Sequence, residues 1–203
     1  SLLYHQGTQL LAVLILPVSA LLAFFSYDIM LLWTRNAEVA LIASPIVSLL
    51  VIGMALNGVM TMPYALQLSH GWTSIGLFIN IFLIITLVPS VYFMATRYGA
   101  VGAAAVWVML NGIYMLIVAP LTHHRLLKGE MRRLFVEDIG PPLVAALLIV
   151  GAGRLLITGP MPAITSIINL SIVLFSALVA AALVSPHMRT WLLIQLKTRM
   201  LHV

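Results

Sequence analysis

The chain has 203 residues, of which 63% are hydrophobic and 7% charged, with ten Lys or Arg, five Asp or Glu and no cysteine. This composition excludes an ordinary water-soluble domain, because too few polar residues remain to cover the apolar surface. The absence of cysteine excludes disulfides and thiolate metal sites within the chain. The basic residues flank apolar stretches, so the net charge of +5 indicates membrane lipids with anionic headgroups as partners, and no nucleic acid.

Six apolar runs predict an all-α, polytopic membrane helix bundle with six transmembrane helices. Each run is close to the ~20 residues that cross the hydrocarbon layer, and none shows the strict alternation of a barrel strand. The predicted helices cover about residues 8–27, 39–63, 72–95, 98–121, 139–157 and 163–184. Pro17, Pro45 and Pro89 fall inside these runs, where membrane helices tolerate proline. Only Thr96 and Arg97 separate the third and fourth helices, which predicts a tight hairpin.

The distribution of basic residues predicts the orientation and the domain limits. Three basic residues, Arg35, Arg97 and Arg154, lie on the side away from the amino terminus. Seven lie on the amino-terminal side: Arg125, Lys128, Arg132, Arg133, Arg189, Lys197 and Arg199. The positive-inside rule therefore predicts an integral inner-membrane protein with both termini in the cytoplasm. Residues 1–185 form the predicted bundle. Residues 186–203 form either a basic amphipathic helix on the cytoplasmic membrane surface or an extra solvated turn.

The sequence does not indicate an enzyme or a cofactor. No nucleophile–base, zinc or nucleotide-binding motif occurs, and the polar segments are too short for a soluble catalytic domain. The adjacent His123 and His124 are predicted to lie at a membrane interface and not in a metal site. No acidic residue falls inside the predicted spans, which argues against an ion relay built from this chain alone.

Uncharged polar residues inside the spans are the main candidates for function. Asn57, Thr61 and Tyr64 share one face of the second helix at three- and four-residue spacing, and Asn80 and Asn111 lie mid-way along the third and fourth helices. An amide in hydrocarbon is costly without a partner, so these side chains are expected to face other helices or a wet cavity. They either make interhelical hydrogen bonds or line a substrate path.

Three arginines complete the candidate substrate path. Arg35, Arg97 and Arg154 lie at the predicted outer face, where a fixed cation would attract an anionic group. Arg154, near the end of the fifth helix, either snorkels to the lipid headgroups or faces inward.

Several segments carry a family resemblance: Pro17, Asn57-Gly58, Pro63-Tyr64-Ala65-Leu66-Gln67-Leu68, Gly71, Asn80 and Tyr98-Gly99-Ala100-Val101-Gly102-Ala103-Ala104. Together they resemble the later helices of polysaccharide-export flippases, the O-antigen and lipid-linked oligosaccharide translocases of the multidrug/oligosaccharidyl-lipid/polysaccharide exporter superfamily. The resemblance covers about residues 9–127. Such flippases have twelve to fourteen helices in two lobes, so the resemblance implies that this chain is one lobe, the carboxy-terminal portion. The missing amino-terminal helices of the same protein, or a second copy, would complete the pathway.

The resemblance implies alternating-access translocation of a lipid-linked oligosaccharide or polysaccharide precursor from the inner to the outer leaflet. The amide and hydroxyl groups of Asn57, Thr61, Asn80 and Asn111 would then bind sugar hydroxyls. One of the three arginines at the outer face would attract the pyrophosphate of this lipid-linked glycan substrate. Two alternatives stay open. One is a cation-coupled drug exporter of the same superfamily, which calls for an embedded carboxylate; the other is a non-transporting membrane scaffold in polysaccharide assembly.

Overall fold

A computed structural model describes residues 2–127, 129–157, 159 and 162–190, and all regular structure in these residues is helical. In chain order the helices are α1 (Leu2–Phe24), α2 (Ser26–Thr34), α3 (Ala37–Val59), α4 (Thr61–Ser69), α5 (Thr73–Leu126), α6 (Met131–Arg133), the π-helix π1 (Leu134–Ile139), α7 (Gly140–Leu156) and α8 (Ala163–Val184). Residues 186–190 are also helical, whereas the rest of the predicted basic tail, 191–203, lies outside the described residues.

Long apolar helices dominate the described part of the chain. Five helical segments are long and apolar enough to cross a membrane: Leu2–Phe24, Ala37–Ser69, Gly76–Leu126, Met131–Leu156 and Ala163–Val184. Many of their large apolar side chains are exposed, such as Phe78, Ile85 and Phe175. Exposed apolar faces of this extent suit a hydrocarbon solvent, in which a helix satisfies its own backbone hydrogen bonds. The fold is therefore that of an all-helical protein compatible with a helical membrane bundle.

Helix α5 turns back on itself at Gly99. The backbone of Gly99 has φ 64° and ψ −153°, a combination that interrupts the helix and that glycine adopts readily. The two arms, residues 73–98 and 100–126, lie side by side, since the guanidinium carbon of Arg125 is 4.4 Å from the ring centre of Trp72. The turn is tight, because a Cβ on Gly102 would lie 2.3 Å from the carbonyl oxygen of Met94. The break thus lies just after the Thr96-Arg97 turn predicted from the sequence.

The second predicted helix extends further than expected and is bent. Helix α3 ends at Val59, and α4 continues the apolar segment to Ser69 instead of stopping near Pro63. Pro63 has no N–H to donate to the carbonyl of Val59, so the regular helix is interrupted at this point. Met60 occupies the break, and its N–H bonds to the carbonyl of Asn57 at 3.0 Å. Pro17, Pro45 and Pro89 by contrast remain inside helices.

The chain divides into two compact units, unit 1 (residues 1–20 and 132–203) and unit 2 (residues 21–131). In the described part of unit 1, α7 packs along α8 through small residues. A Cβ on Gly153 would lie 2.8 Å from the side chain of Val173, and Ala146 and Ala177 are fully buried. In unit 2, α3 packs against both α2 and α5, and a hydrogen bond of 2.8 Å joins the hydroxyl groups of Ser48 and Ser26.

Candidate functional site

Unit 2 contains a cavity of about 570 Å³ bounded by α3, α4 and both arms of α5. Its walls are Asn57, Met60, Thr61, Tyr64, Asn80, Leu83, Ile84, Leu87, Trp107, Leu110, Asn111 and Tyr114. A straight α5 would hold Asn80 and Tyr114 about 50 Å apart. The reversal at Gly99 therefore brings the two arms onto the same cavity.

The wall from α3 and α4 is the polar face that the sequence predicts. Asn57, Thr61 and Tyr64 all line the cavity, on both sides of the break at Met60. One turn before Asn57, Gly53 is buried against the indole of Trp107, and a Cβ on Gly53 would lie only 2.3 Å from its Cδ1. The absence of a side chain at Gly53 therefore lets Trp107 form part of the cavity wall.

Hydrogen bonds fix how the two asparagines on opposite walls are oriented. The Nδ2 of Asn111 donates to the carbonyl oxygen of Trp107 at 2.8 Å, so the Oδ1 of Asn111 is left as an acceptor. The Nδ2 of Asn57 donates to that Oδ1 at 3.0 Å. One N–H of Asn57 is used in this way, so its second N–H and its Oδ1 are available to a ligand. Asn111 is buried, whereas Asn57 is exposed.

Other polar groups of the cavity have no protein partner. Within the described residues, the side chains of Thr61, Tyr64, Asn80, Trp107 and Tyr114 donate or accept no hydrogen bond from another protein group. Such groups inside an apolar bundle are costly unless water or a ligand satisfies them. The wall thus presents hydroxyl, amide and indole groups ready for hydrogen bonding.

The cavity carries no formal charge. None of its twelve lining residues is Asp, Glu, Lys, Arg or His, and three are aromatic. Recognition here can rest on hydrogen bonds to uncharged polar groups and on stacking against Tyr64, Trp107 or Tyr114. Among the described residues, no group of three or more His, Cys, Asp or Glu side chains is placed to hold a metal ion.

None of the three candidate arginines is among the residues that line this cavity. Arg35 follows α2 in a left-handed conformation with φ 53°. Arg97 precedes the break in α5, with its guanidinium carbon 6.0 Å from the ring centre of Phe93. Arg154 is exposed in the last turn of α7. The structure therefore brings together Asn57, Thr61, Tyr64, Asn80 and Asn111, and leaves Arg35, Arg97 and Arg154 outside.

Sequence reasoning missed two features. The first is Trp107 as part of the cavity wall. Trp107 is four residues before Asn111, so helical spacing could have placed it on the same face. Asp138 was expected outside the fifth span, yet it is fully buried within the apolar segment Met131–Leu156, where π1 carries it inward. Asp138 lies at the start of this segment, so its burial leaves the expectation that no acidic residue falls inside a span as a prediction. Sequence periodicity gave no sign of a π-helix.

Comparison with protein-family models, curated proteins and solved structures gives no match to this chain.

Proposed function

We propose that this protein moves a lipid-linked oligosaccharide or polysaccharide precursor from the inner to the outer leaflet of the cytoplasmic membrane. The observation that carries the proposal is the uncharged cavity of unit 2, in which polar groups without protein partners lie beside aromatic rings. Sugar hydroxyls both donate and accept hydrogen bonds, so they complement the amide of Asn80, the Oδ1 of Asn57 and the hydroxyl of Thr61. Aromatic rings stack on the apolar faces of sugar rings.

The uncharged wall favours the glycan, and not the pyrophosphate, as the part of such a substrate that enters the cavity. An anionic pyrophosphate would gain nothing from this cavity and would lose its hydration there. The glycan therefore enters the cavity, while the pyrophosphate remains at the membrane face beside basic residues such as Arg35, Arg97 or Arg154. The volume of about 570 Å³ lies within the range of ordinary small-molecule sites.

Two contacts support six membrane crossings with both termini on the cytoplasmic side. Trp72 and Arg125, near the two ends of α5, are in contact, which favours two crossings by this segment. Within unit 1, His5 at the start of α1 bonds to Asp138 at the start of the fifth apolar segment. Residues in contact lie on the same side of the membrane, so the chain between them has to cross the membrane an even number of times. Helices α1 and α3 and the two arms of α5 provide four crossings. The adjoining Arg132 and Arg133 favour the cytoplasmic side for this end.

A complete pathway needs a second wall. Asn57, Thr61 and Asn80 are exposed, so the cavity is open on one side. We propose that a second lobe, from further helices of the same protein or from a second copy, closes it. Rocking of the lobes would then expose the cavity to each leaflet in turn.

A cation-coupled exporter of amphipathic molecules is a second candidate, and one observation favours it. Such an exporter calls for an embedded carboxylate, and Asp138 is a fully buried one. The aromatic cavity would accept an apolar cation as well as a sugar.

An export assay in cells that carry the full-length protein tests both candidates. Changing Asn57, Asn80 and Asn111 together to alanine is expected to abolish surface glycan, at equal amounts of folded protein. The control is Asn169→Ala, which removes an amide from α8 outside the cavity. Normal glycan export by the triple variant would refute the glycan proposal. Loss of resistance to cationic drugs, with normal glycan export, would favour the exporter.

A further inference from the structure

A second polar cluster is buried in unit 1 and belongs to no part of the cavity. His5 and Asp138 are 0% exposed and Gln9 is 1% exposed. The Nδ1 of His5 bonds to the Oδ2 of Asp138. A buried pair of ionisable groups is costly and persists when its members neutralise each other through a hydrogen bond. The glycan path proposed above does not use this pair.

The hydrogen bonds around Asp138 have a fixed direction. The backbone N–H of His187 donates to the Oε1 of Gln9 at 3.0 Å, which turns the Nε2 of Gln9 away from it. That Nε2 donates to the Oδ1 of Asp138 at 2.9 Å. The Oδ1 is therefore held as an acceptor. A proton on this carboxyl group can reside only on the Oδ2, between Asp138 and His5.

The backbone that carries Asp138 has an unusual form. In π1 the N–H of Gly140 bonds to the carbonyl of Phe135, five residues earlier. A Cβ on Gly140 would lie 2.6 Å from that carbonyl oxygen, so only glycine fits. Pro141 and Pro142 follow, and neither has an N–H to restore the regular pattern. Single-turn π-helices occur frequently at functional sites, and this one places a carboxylate in the interior.

We propose that His5 and Asp138 form a proton-binding site that holds the start of α1 against the start of α7 and the end of α8. With one proton between the two side chains, the pair is neutral and bonded. When a second proton binds, the N–H of His5 and the O–H of Asp138 face each other as two donors without an acceptor. Because Gln9 donates to the Oδ1 of Asp138, the second proton cannot move to that oxygen. Proton uptake therefore breaks the bond and frees the start of α1.

The same geometry favours a proton over a metal cation. Both oxygens of Asp138 already accept hydrogen bonds, from His5 and from Gln9, and the described residues place no group of three or more His, Cys, Asp or Glu side chains around a metal ion. Protons can arrive from the aqueous side, because Arg132 and Arg133 are only one to two turns away in the chain.

Other titratable groups surround the pair and have to be separated from it experimentally. The ring of Tyr4 meets the ring of His5 edge-on, with centres 5.2 Å apart. Glu137 is exposed and paired with Arg133 at 3.1 Å. His187, after α8, is partly exposed and contributes its backbone N–H, and Arg189 is exposed. Helix α8 contains no charged residue, and the one charged residue of α7, Arg154, lies in its last turn.

A distance measurement in the full-length protein tests this proposal without any transport assay. Because this chain has no cysteine, Leu3 and Arg189, both exposed, can be changed to cysteine and spin-labelled. Pulsed electron paramagnetic resonance then reports their separation in lipid vesicles. We expect one narrow distance at about pH 7 and a longer, broader distribution at about pH 3, because the second proton has to enter the carboxylate, and carboxylates take up protons only in the acid range.

The double variant His5→Asn, Asp138→Asn is the decisive comparison. Two amides can keep one hydrogen bond but cannot titrate, so the short distance is expected at both pH values. His5→Asn alone is also expected to lose the response, because the asparagine amide can donate to a carboxylate or accept from a carboxyl group, and it serves if the double variant does not fold. Glu137→Gln and His187→Asn, the matched controls, are expected to respond as the unmodified chain does. The proposal is overturned if the distance in the unmodified chain does not depend on pH. It is also overturned if the response persists in both asparagine variants or disappears in His187→Asn.

Discussion

Asn57 donates a hydrogen bond of 3.0 Å from its Nδ2 to the Oδ1 of Asn111, 54 residues later in the chain. This bond joins α3 to the second arm of α5 across one edge of the cavity. Asn111 is held in turn by the carbonyl of Trp107. Of the two interpretations that the sequence left open, the structure shows interhelical bonding in this pair, and the same pair borders the proposed substrate path.

The first prediction concerns the stability that this pair contributes. Asn111→Ala removes the acceptor of Asn57 and the donor to Trp107, so we expect a loss of about 1–3 kcal/mol in the free energy of unfolding. Asn57→Ala should cost less, because Asn57 is exposed. A double-mutant cycle in detergent or bicelles should give a coupling energy of about 0.5–1.5 kcal/mol.

Asn80→Ala is the matched control for this cycle. Asn80 lines the same cavity, but within the described residues its amide bonds to no protein group. Its removal should leave the stability nearly unchanged while it alters the cavity wall. Additive effects of Asn57→Ala and Asn111→Ala, with no coupling, would show that the bond contributes nothing to stability.

Much of the fold follows from composition and spacing, because hydrocarbon imposes a helix on any long apolar run. The tight turn near Thr96 is an example, since only two polar residues interrupt the apolar run and Gly99 supplies the left-handed backbone. The bend at Met60 was harder to place. Pro63 signals an interruption, but proline is also tolerated inside membrane helices, as Pro45 is here.

The polar face of the cavity could be predicted, because helical spacing alone aligns Asn57, Thr61 and Tyr64. The burial of Asp138 could not. Its position depends on a hydrogen-bond pattern of five residues in π1 and on a partner, His5, 133 residues away in the chain. Neither a local pattern nor a hydropathy window contains that information.

The second prediction concerns the contact between Gly53 and Trp107. Gly53→Ala adds a methyl group 2.3 Å from the Cδ1 of the indole, so Trp107 has to move from its present position. Overpacking of this kind costs about 1–3 kcal/mol in the free energy of unfolding. With the other tryptophans changed to phenylalanine, the fluorescence of Trp107 should shift in wavelength and in accessibility to acrylamide.

Gly112→Ala is the control for this experiment, because a Cβ at Gly112 would meet no atom within 4 Å. Alanine also favours the helix by up to about 1 kcal/mol over glycine. We therefore expect Gly112→Ala to be neutral or slightly stabilising and to leave the emission of Trp107 unchanged. Identical spectra for Gly53→Ala and Gly112→Ala would contradict the packing described for Trp107.

The third prediction concerns Gly140 in the π-helical turn. Gly140→Ala puts a methyl group 2.6 Å from the backbone oxygen of Phe135, which cannot move without a change in π1. We expect a loss of about 1–3 kcal/mol in stability and faster hydrogen exchange of the amides in residues 134–140. Gly151→Ala in α7, where a Cβ would meet no atom within 4 Å, should do neither. Unchanged exchange in Gly140→Ala would mean that π1 does not depend on this glycine.

The fourth prediction concerns the six crossings. Single cysteines at Thr96 and Leu156 should react with a membrane-impermeant thiol reagent in intact cells, because both residues are exposed at the proposed outer face. Cysteines at His124 and Arg189 should react only after permeabilisation. This chain contributes no cysteine of its own to the signal. If Gly76–Leu126 crossed the membrane only once, His124 and Arg189 would lie outside and Leu156 inside. Labelling of His124 in intact cells, together with protection of Leu156, would therefore reject the hairpin.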